Sequence, residues 1–316
     1  KRQYWREVEN MPMLADNLAS LAESYYNAGE FDKSLHYAGE GLRISEEIGN
    51  IWGKAYNNFV VGPILVERGE IDESLQALEN TLQLSRQSNF AAGVVATQMI
   101  QSWLYAMLGD LEHAKQYQPL IKDFVQQYES FRPLYFVNRA QNEIYEGEYK
   151  KALNTFNQVG DTYKTYSELI FHPYIYSLHI EIHLENEKYG LALETAETYL
   201  NSLSHQQVKI LMPDMLNQKA RALIGLEQGR QAYDTLLQAR ELAVKQNSRR
   251  SLWALLLDLA DLEQDPRSAA KMRDQACQVI TYISEHISDP FLRGKFLSLP
   301  RVKAAQQYNC LEYSPN

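Results

Sequence analysis

Gly29-Glu30-Phe31-Asp32-Lys33-Ser34-Leu35 is a phrase that this chain of 316 residues keeps repeating. It returns as Gly69-Glu70-Ile71-Asp72-Glu73-Ser74-Leu75, as Gly109-Asp110-Leu111-Glu112-His113-Ala114-Lys115 and as Gly147-Glu148-Tyr149-Lys150-Lys151-Ala152-Leu153. Weaker copies open at Glu187 and Glu227, and a last one lies near Asp265 to Ala270. First residues of successive copies stand 40, 40, 38, 40, 40 and about 38 positions apart. A fixed period of this size is the signature of a repeat array.

The phrase reads as a helix stop, a tight turn and a helix start. Glycine closes a helix in the left-handed conformation without a Cβ clash. The acidic residues after it favour the positive end of the next helix. The small side chains of Ser34, Ser74, Ala114, Ala152, Ala192 and Ala232 let two helices approach closely. Each period is therefore one antiparallel helix pair.

The pairs expected are Pro12 to Ala28 with Phe31 to Ile48, Ile51 to Arg68 with Ile71 to Ser88, and Phe90 to Leu108 with Leu111 to Tyr128. Pro133 to Glu146 pairs with Tyr149 to Tyr166, Pro173 to Asn186 with Tyr189 to Ser204, and Pro213 to Leu226 with Arg230 to Gln246. Prolines 12, 133, 173 and 213 fall at starts of first helices, where a missing N–H costs nothing. Gly62-Pro63 instead lies inside a first helix and should bend it. A seventh pair runs from about Ser251 to Gln264 and Arg267 to Ile287, with Asp265-Pro266 replacing the glycine turn. Ser288-Asp289-Pro290, a cap followed by proline at the first helical position, opens a short helix Phe291 to Leu297.

On these residues the chain resembles the tetratricopeptide repeat (TPR) family. In the first repeat Leu18, Leu21, Ala22 and Tyr25 precede the turn, and Ser34, Ala38 and Gly41 follow it. Gly62 and Leu65 continue the match, whereas Gln101 and Arg139 stand at leucine positions of later repeats. The family's usual period is about 34. The longer one here resembles scaffold proteins and the C-terminal sensor arms of large bacterial signalling ATPases of the STAND type. Asp289 to Pro300 resembles the tail that closes such arrays; read from its residues alone it is a polar cap for the solenoid.

The resemblance implies an all-α, right-handed superhelical solenoid of about seven antiparallel helix pairs with a C-terminal capping helix. Residues 1–10 read as the tail of a preceding repeat, because Arg6 to Asn10 aligns with Glu46 to Asn50 one period later. That places the array at 11–287, capping helices at 288–308 and a disordered tail at 309–316. It also implies that the chain was cut from a longer protein.

Net charge is −9, which argues against a nucleic-acid or anionic-membrane face. Two cysteines, Cys277 and Cys310, give no disulfide framework and suit a reducing compartment, hence the cytoplasm. No apolar run reaches a membrane span and no signal-peptide core opens the chain. There is no phosphate loop, nucleophile elbow or paired-cysteine zinc pattern. His179 and His183, with His172 upstream, lie four apart on one helical face. Repeat register places the first two against the second helix of their pair, so polar packing outweighs zinc binding there. Glu46 with Glu47, and Glu185 with Glu187, read as solvated ends. No catalytic residue, metal or cofactor is expected, and the chain is not read as an enzyme.

Two function classes remain. One is a protein-interaction or ligand-sensing repeat domain of a larger signalling or regulatory protein, acting on an upstream switch module of the same chain. The other is a free-standing scaffold for multiprotein assembly. Asp16, Ala19, Ser20 and Glu23 on the inner face of the first repeat lack the basic clamp that receives an acidic chaperone C-terminus.

In the family the first helices line the concave face. The register then assigns Tyr26, Asn27, Tyr56, Phe59, Glu67, Met99, Trp103, Gln141, Tyr145, Tyr174, Ser177, Glu181, Asn217 and Arg221 to it. Such a wall could hold a protein or peptide segment or a small ligand, with Trp103 as an aromatic anchor. The alternative is that these aromatics only fill space between hairpins.

Overall fold

The computed structural model describes residues 10–164 and 172–312. The expectations for residues 1–9, the 313–316 end of the tail and the side chain of His172 lie outside the described residues.

The chain is an all-α solenoid of the TPR kind, with no strand among the described residues. The first pair is α1 (Met11–Asn27) and α2 (Phe31–Glu47); the second is α3 (Ile51–Asn58) with α4 (Val61–Arg68), facing α5 (Ile71–Gln87). Then come α6 (Ala91–Met107) with α7 (Leu111–Gln127), and α8 (Arg132–Tyr145) with α9 (Tyr149–Phe156). Next are α10 (His172–Glu185) with α11 (Tyr189–His205), α12 (Met212–Gly225) with α13 (Gly229–Gln246), and α14 (Arg249–Leu262) with α15 (Pro266–Glu285). Two helices follow, α16 (Pro290–Leu297) and α17 (Pro300–Glu312).

The turns have the conformation that the repeated glycine demands. Gly29, Gly69, Gly109 and Gly147 have φ of 71°, 77°, 85° and 77°. Glu187 and Glu227 take the same left-handed state without being glycine, at φ 57° and 61°. The small residues after each turn, Ser34, Ser74, Ala114, Ala152, Ala192 and Ala232, are all fully buried. The Ser34 hydroxyl donates to the carbonyl of Ala22 at 2.7 Å and that of Ser74 to Gly62 at 2.9 Å. In the third pair the roles exchange, since Ser102 donates to the carbonyl of Ala114 at 2.9 Å.

Two elements depart from regular pairs. The helix around Pro63 is interrupted at Phe59-Val60 rather than merely bent, since proline has no N–H with which to hold the turn before it. The second helix of the fourth pair, expected to reach Tyr166, stops at Phe156 and continues as 3₁₀ turns from Asn157 to Lys164. Gly160, at φ 63° and ψ −165°, occupies a region that only glycine enters readily. The closing helix begins as its sequence implied, with Asp289 accepting from the N–H of Phe291 at 2.9 Å.

The superhelix is tight enough to meet itself. The carbonyl of Asn27 accepts from the N–H groups of Lys209 and Ile210, and the carbonyl of Arg68 from the Arg249 guanidinium at 3.1 Å. Ser248 donates to Glu67, 181 residues earlier, so one superhelical turn takes about four and a half pairs. Further along, the Asp72 N–H donates to the His286 carbonyl, and the Ser288 N–H to the Asp72 carboxylate at 2.7 Å. Apolar side chains close the same seam. Tyr26 and Ile64 share a core with Ile180, Leu211 and Met215, and Val66 and Ile71 share one with Leu256 and Ile283.

Candidate functional site

Where successive turns meet, the first helices form most of the wall of an open-sided cavity of about 290 Å³. Trp103 of α6, Gln141 and Tyr145 of α8, Tyr174, Ser177 and Glu181 of α10, and Asn217 and Arg221 of α12 line it, all eight from the inward set read in the sequence. Neighbouring first helices are one period apart, so equivalent positions touch. Gln218 donates to the carbonyl of Ser177 at 3.0 Å, and Asn217 to Asp258 at 2.6 Å.

The other six lie elsewhere. Met99 borders a smaller cleft beside Trp103 and Gln141. Tyr26 is 1% exposed and stands behind the wall, its hydroxyl 2.8 Å from that of Tyr174. Asn27 supplies its carbonyl to the seam. Tyr56 and Phe59 cluster with Phe90, and the Tyr56 hydroxyl donates to Glu23 at 3.2 Å. Glu67 is buried as a partner of Arg250, not as part of the wall.

Arg250, which the sequence reading missed, is the centre of the arrangement. Its Nε donates to Glu67 at 2.9 Å, and its two terminal nitrogens to the carboxylate oxygens of Asp214 at 2.8 and 2.6 Å. Ser248 adds a bond to Glu67 at 2.6 Å and Ser251 one to Asp214 at 3.1 Å. The guanidinium lies 5.3 Å from the Trp103 ring centroid. Burial raises the pKa of Glu67, opposed by the charge of Arg250. For Arg250 burial acts downward, but Asp214 and Glu67 overcome it and hold the guanidinium charged.

A second network stands beside it. Arg221 donates to both carboxylate oxygens of Glu181, at 2.7 and 2.8 Å, and to Glu185 at 2.6 Å. Burial pushes the Glu181 pKa up, yet Arg221 outweighs it and the net shift is downward. Arg221 is therefore satisfied by carboxylates of its own chain. The signal for both networks was present as opposite charges 36 and 40 positions apart on first helices, Asp214 with Arg250 and Glu181 with Arg221.

The aromatic wall is uneven. Trp103 is 8% exposed, covered by Arg250 and by the edge of Tyr174 at 5.4 Å. Tyr145 lines the cavity with 40% of its surface exposed, and desolvation by the protein around its hydroxyl pushes its pKa up to about 12. The histidine pair is packing, as register implied: His179 Nδ1 lies 2.7 Å from the Tyr199 hydroxyl of α11, and its Nε2 lies 3.1 Å from that of His183. Among the described residues no group of three or more His, Cys, Asp or Glu is placed to hold a metal ion.

An all-α array of paired helices wound around an inner cavity is the architecture of TPR solenoids. Over 98% of its length the chain is similar to a solved STAND protein, a signal transduction ATPase with numerous domains, carrying a tetratricopeptide repeat sensor, from Pyrococcus horikoshii. Identity is 12% and the TM-score 0.52. The chain spans about half of that structure's length, covering 49% of it. No protein-family model and no curated protein matches the sequence. No described helix is long and apolar enough to cross a membrane.

Proposed function

We propose that this array is a non-catalytic sensing or interaction arm of a larger signalling or regulatory protein of the cytoplasm, and that it takes a small ligand in the central cavity. One observation carries the reading. The cavity is walled by the same residues that clasp one superhelical turn to the next, Arg250 above all, so an occupant bears directly on the seam. Its volume of about 290 Å³ sits at the small end of ligand pockets and has no room for a folded peptide. The upstream partner in this reading is a switch module of the same chain. A scaffold remains the second reading, favoured by apolar side chains left exposed on second helices, among them Leu191, Leu237 and Val244.

Sequencing the coding region on either side of the array, then assaying the intact gene product, separates the two. A phosphate-binding loop upstream of Lys1, with nucleotide hydrolysis altered by Arg250→Gln in the array, is the result expected. A gene product without such a module makes the protein a scaffold.

A further inference from the structure

Two guanidinium groups serve four carboxylates at the central cavity, Glu181 and Asp214 in its lining and Glu67 and Glu185 behind it. Arg250 is shared by Glu67 and Asp214, and Arg221 by Glu181 and Glu185. Two negative charges are left over, or one if Glu67 holds a proton. Asp258, which accepts from Asn217 of the lining, does not change the balance, because Arg301 pairs with it. Among the described residues no lysine or histidine lines the cavity. Uncompensated charge away from bulk water is costly, so the site favours an occupant of positive charge.

The donors argue in the same direction. Both terminal nitrogens of each arginine are already spent on carboxylates, those of Arg250 on Asp214 and those of Arg221 on Glu181 and Glu185, so an anion would have to break those bonds. The carboxylates of Glu181 and Asp214 keep 23% and 21% of their side-chain surface open. Tyr145, itself 40% exposed, lines the same cavity, and rings attract cations over their faces.

We infer that the ligand of this cavity is a small organic cation of the alkylammonium class, seated among the Glu181 and Asp214 carboxylates and the ring of Tyr145. The inference rests on reading the cavity as the sensing site. Arg250 and Arg221 then act as fixed counter-charges that hold the carboxylates in place, and the cation supplies the charge they lack.

The test is calorimetric titration of the whole chain with choline and with putrescine, followed also by tryptophan fluorescence, since Trp103 and Trp253 both line the cavity. 3,3-Dimethylbutan-1-ol, a neutral isostere of choline, and the dianion glutarate serve as controls. At least one of the two cations should saturate the site about tenfold or more tighter than the alcohol, with glutarate silent. Glu181→Gln should weaken that cation about tenfold, and Glu181→Gln with Arg221→Gln, which restores the two-charge surplus, should recover most of the loss. Circular dichroism checks that each variant is folded. Equal binding of the alcohol or glutarate overturns the cation and leaves a sensing cavity. Failure of both cations to saturate, or a double variant no better than the single one, overturns it as well. None of these outcomes depends on what lies upstream of Lys1, so the sensor and scaffold readings are decided separately.

Discussion

Glu187 and Glu227 are the residues at which the repeat asks for glycine and does not have it. Each ends a first helix with the bond pattern that Gly29 uses: the Glu187 N–H donates to Leu184 and the next N–H to His183, as Gly29 donates to Tyr26 and Glu30 to Tyr25. A side chain at positive φ costs about 1–2 kcal/mol, partly offset because glycine is freer in the unfolded chain. Glu187→Gly and Glu227→Gly should therefore each raise stability by about 0.5–1 kcal/mol, read as a higher urea midpoint at unchanged slope. Neither carboxylate touches the cavity, so ligand binding should not move. A drop in midpoint would mean that the glutamate side chains hold contacts worth more than the strain. These positions were legible without structure, because the period marked them even after the glycine was lost.

At the scale of elements, α10 and α11 are held partly by histidines where the repeat ordinarily has apolar side chains. His179 stacks on Phe156 with ring centroids 4.7 Å apart and meets Tyr199, while His183 is 6% exposed. Burial, and then the neighbouring His183, lower the pKa of His179 to about 4, and burial lowers that of His183 as well. Unfolded histidine titrates near 6.5, so between these values the unfolded chain binds more protons than the folded one. Stability that is complete above pH 6.5 is thus lost on acidification towards 4, with His179 accounting for about 2 kcal/mol at pH 5. His179→Phe should flatten that part of the pH–stability curve, and a curve as steep as before would contradict the assignment. Helix pairing here was legible because register alone set the histidines against α11. The early end of α9 was not: its residues continue an acceptable helical pattern, and only the backbone taken up by Gly160 shows where the helix stops.

For the whole molecule the decisive contacts are those that no period announces. A repeat pattern predicts neighbours about 40 residues apart, and the ladder from Ser177 to Gln218 and from Glu181 to Arg221 follows it. The seam joins residues 148, 181 and 216 apart, distances set by the pitch of the superhelix, which depends on small rotations summed over several pairs. Eight inward residues could therefore be read in advance, while the closing of the cavity by Arg250 could not. Arg250 bridges α4 to α12 with its charge almost wholly out of water, its side chain 11% exposed and that of Glu67 2%. Removing one partner of such a pair leaves a buried charge uncompensated, which costs about 3–5 kcal/mol, whereas removing both can be nearly neutral. Arg250→Gln should thus destabilise the array by about 3 kcal/mol or more and open the seam, seen as a larger radius of gyration in solution scattering. Glu67→Gln alone should cost less, because burial already favours the protonated acid at that position. In the double variant part of the stability should return, since no charge is left stranded at Glu67, while Asp214, with 21% of its side-chain surface open, stays without its partner. The cycle measures whether the clasp is a coupled pair: additive losses would show that the seam is held by its apolar side chains, with Val66, Ile71, Leu256 and Ile283 sufficient to keep the superhelix closed.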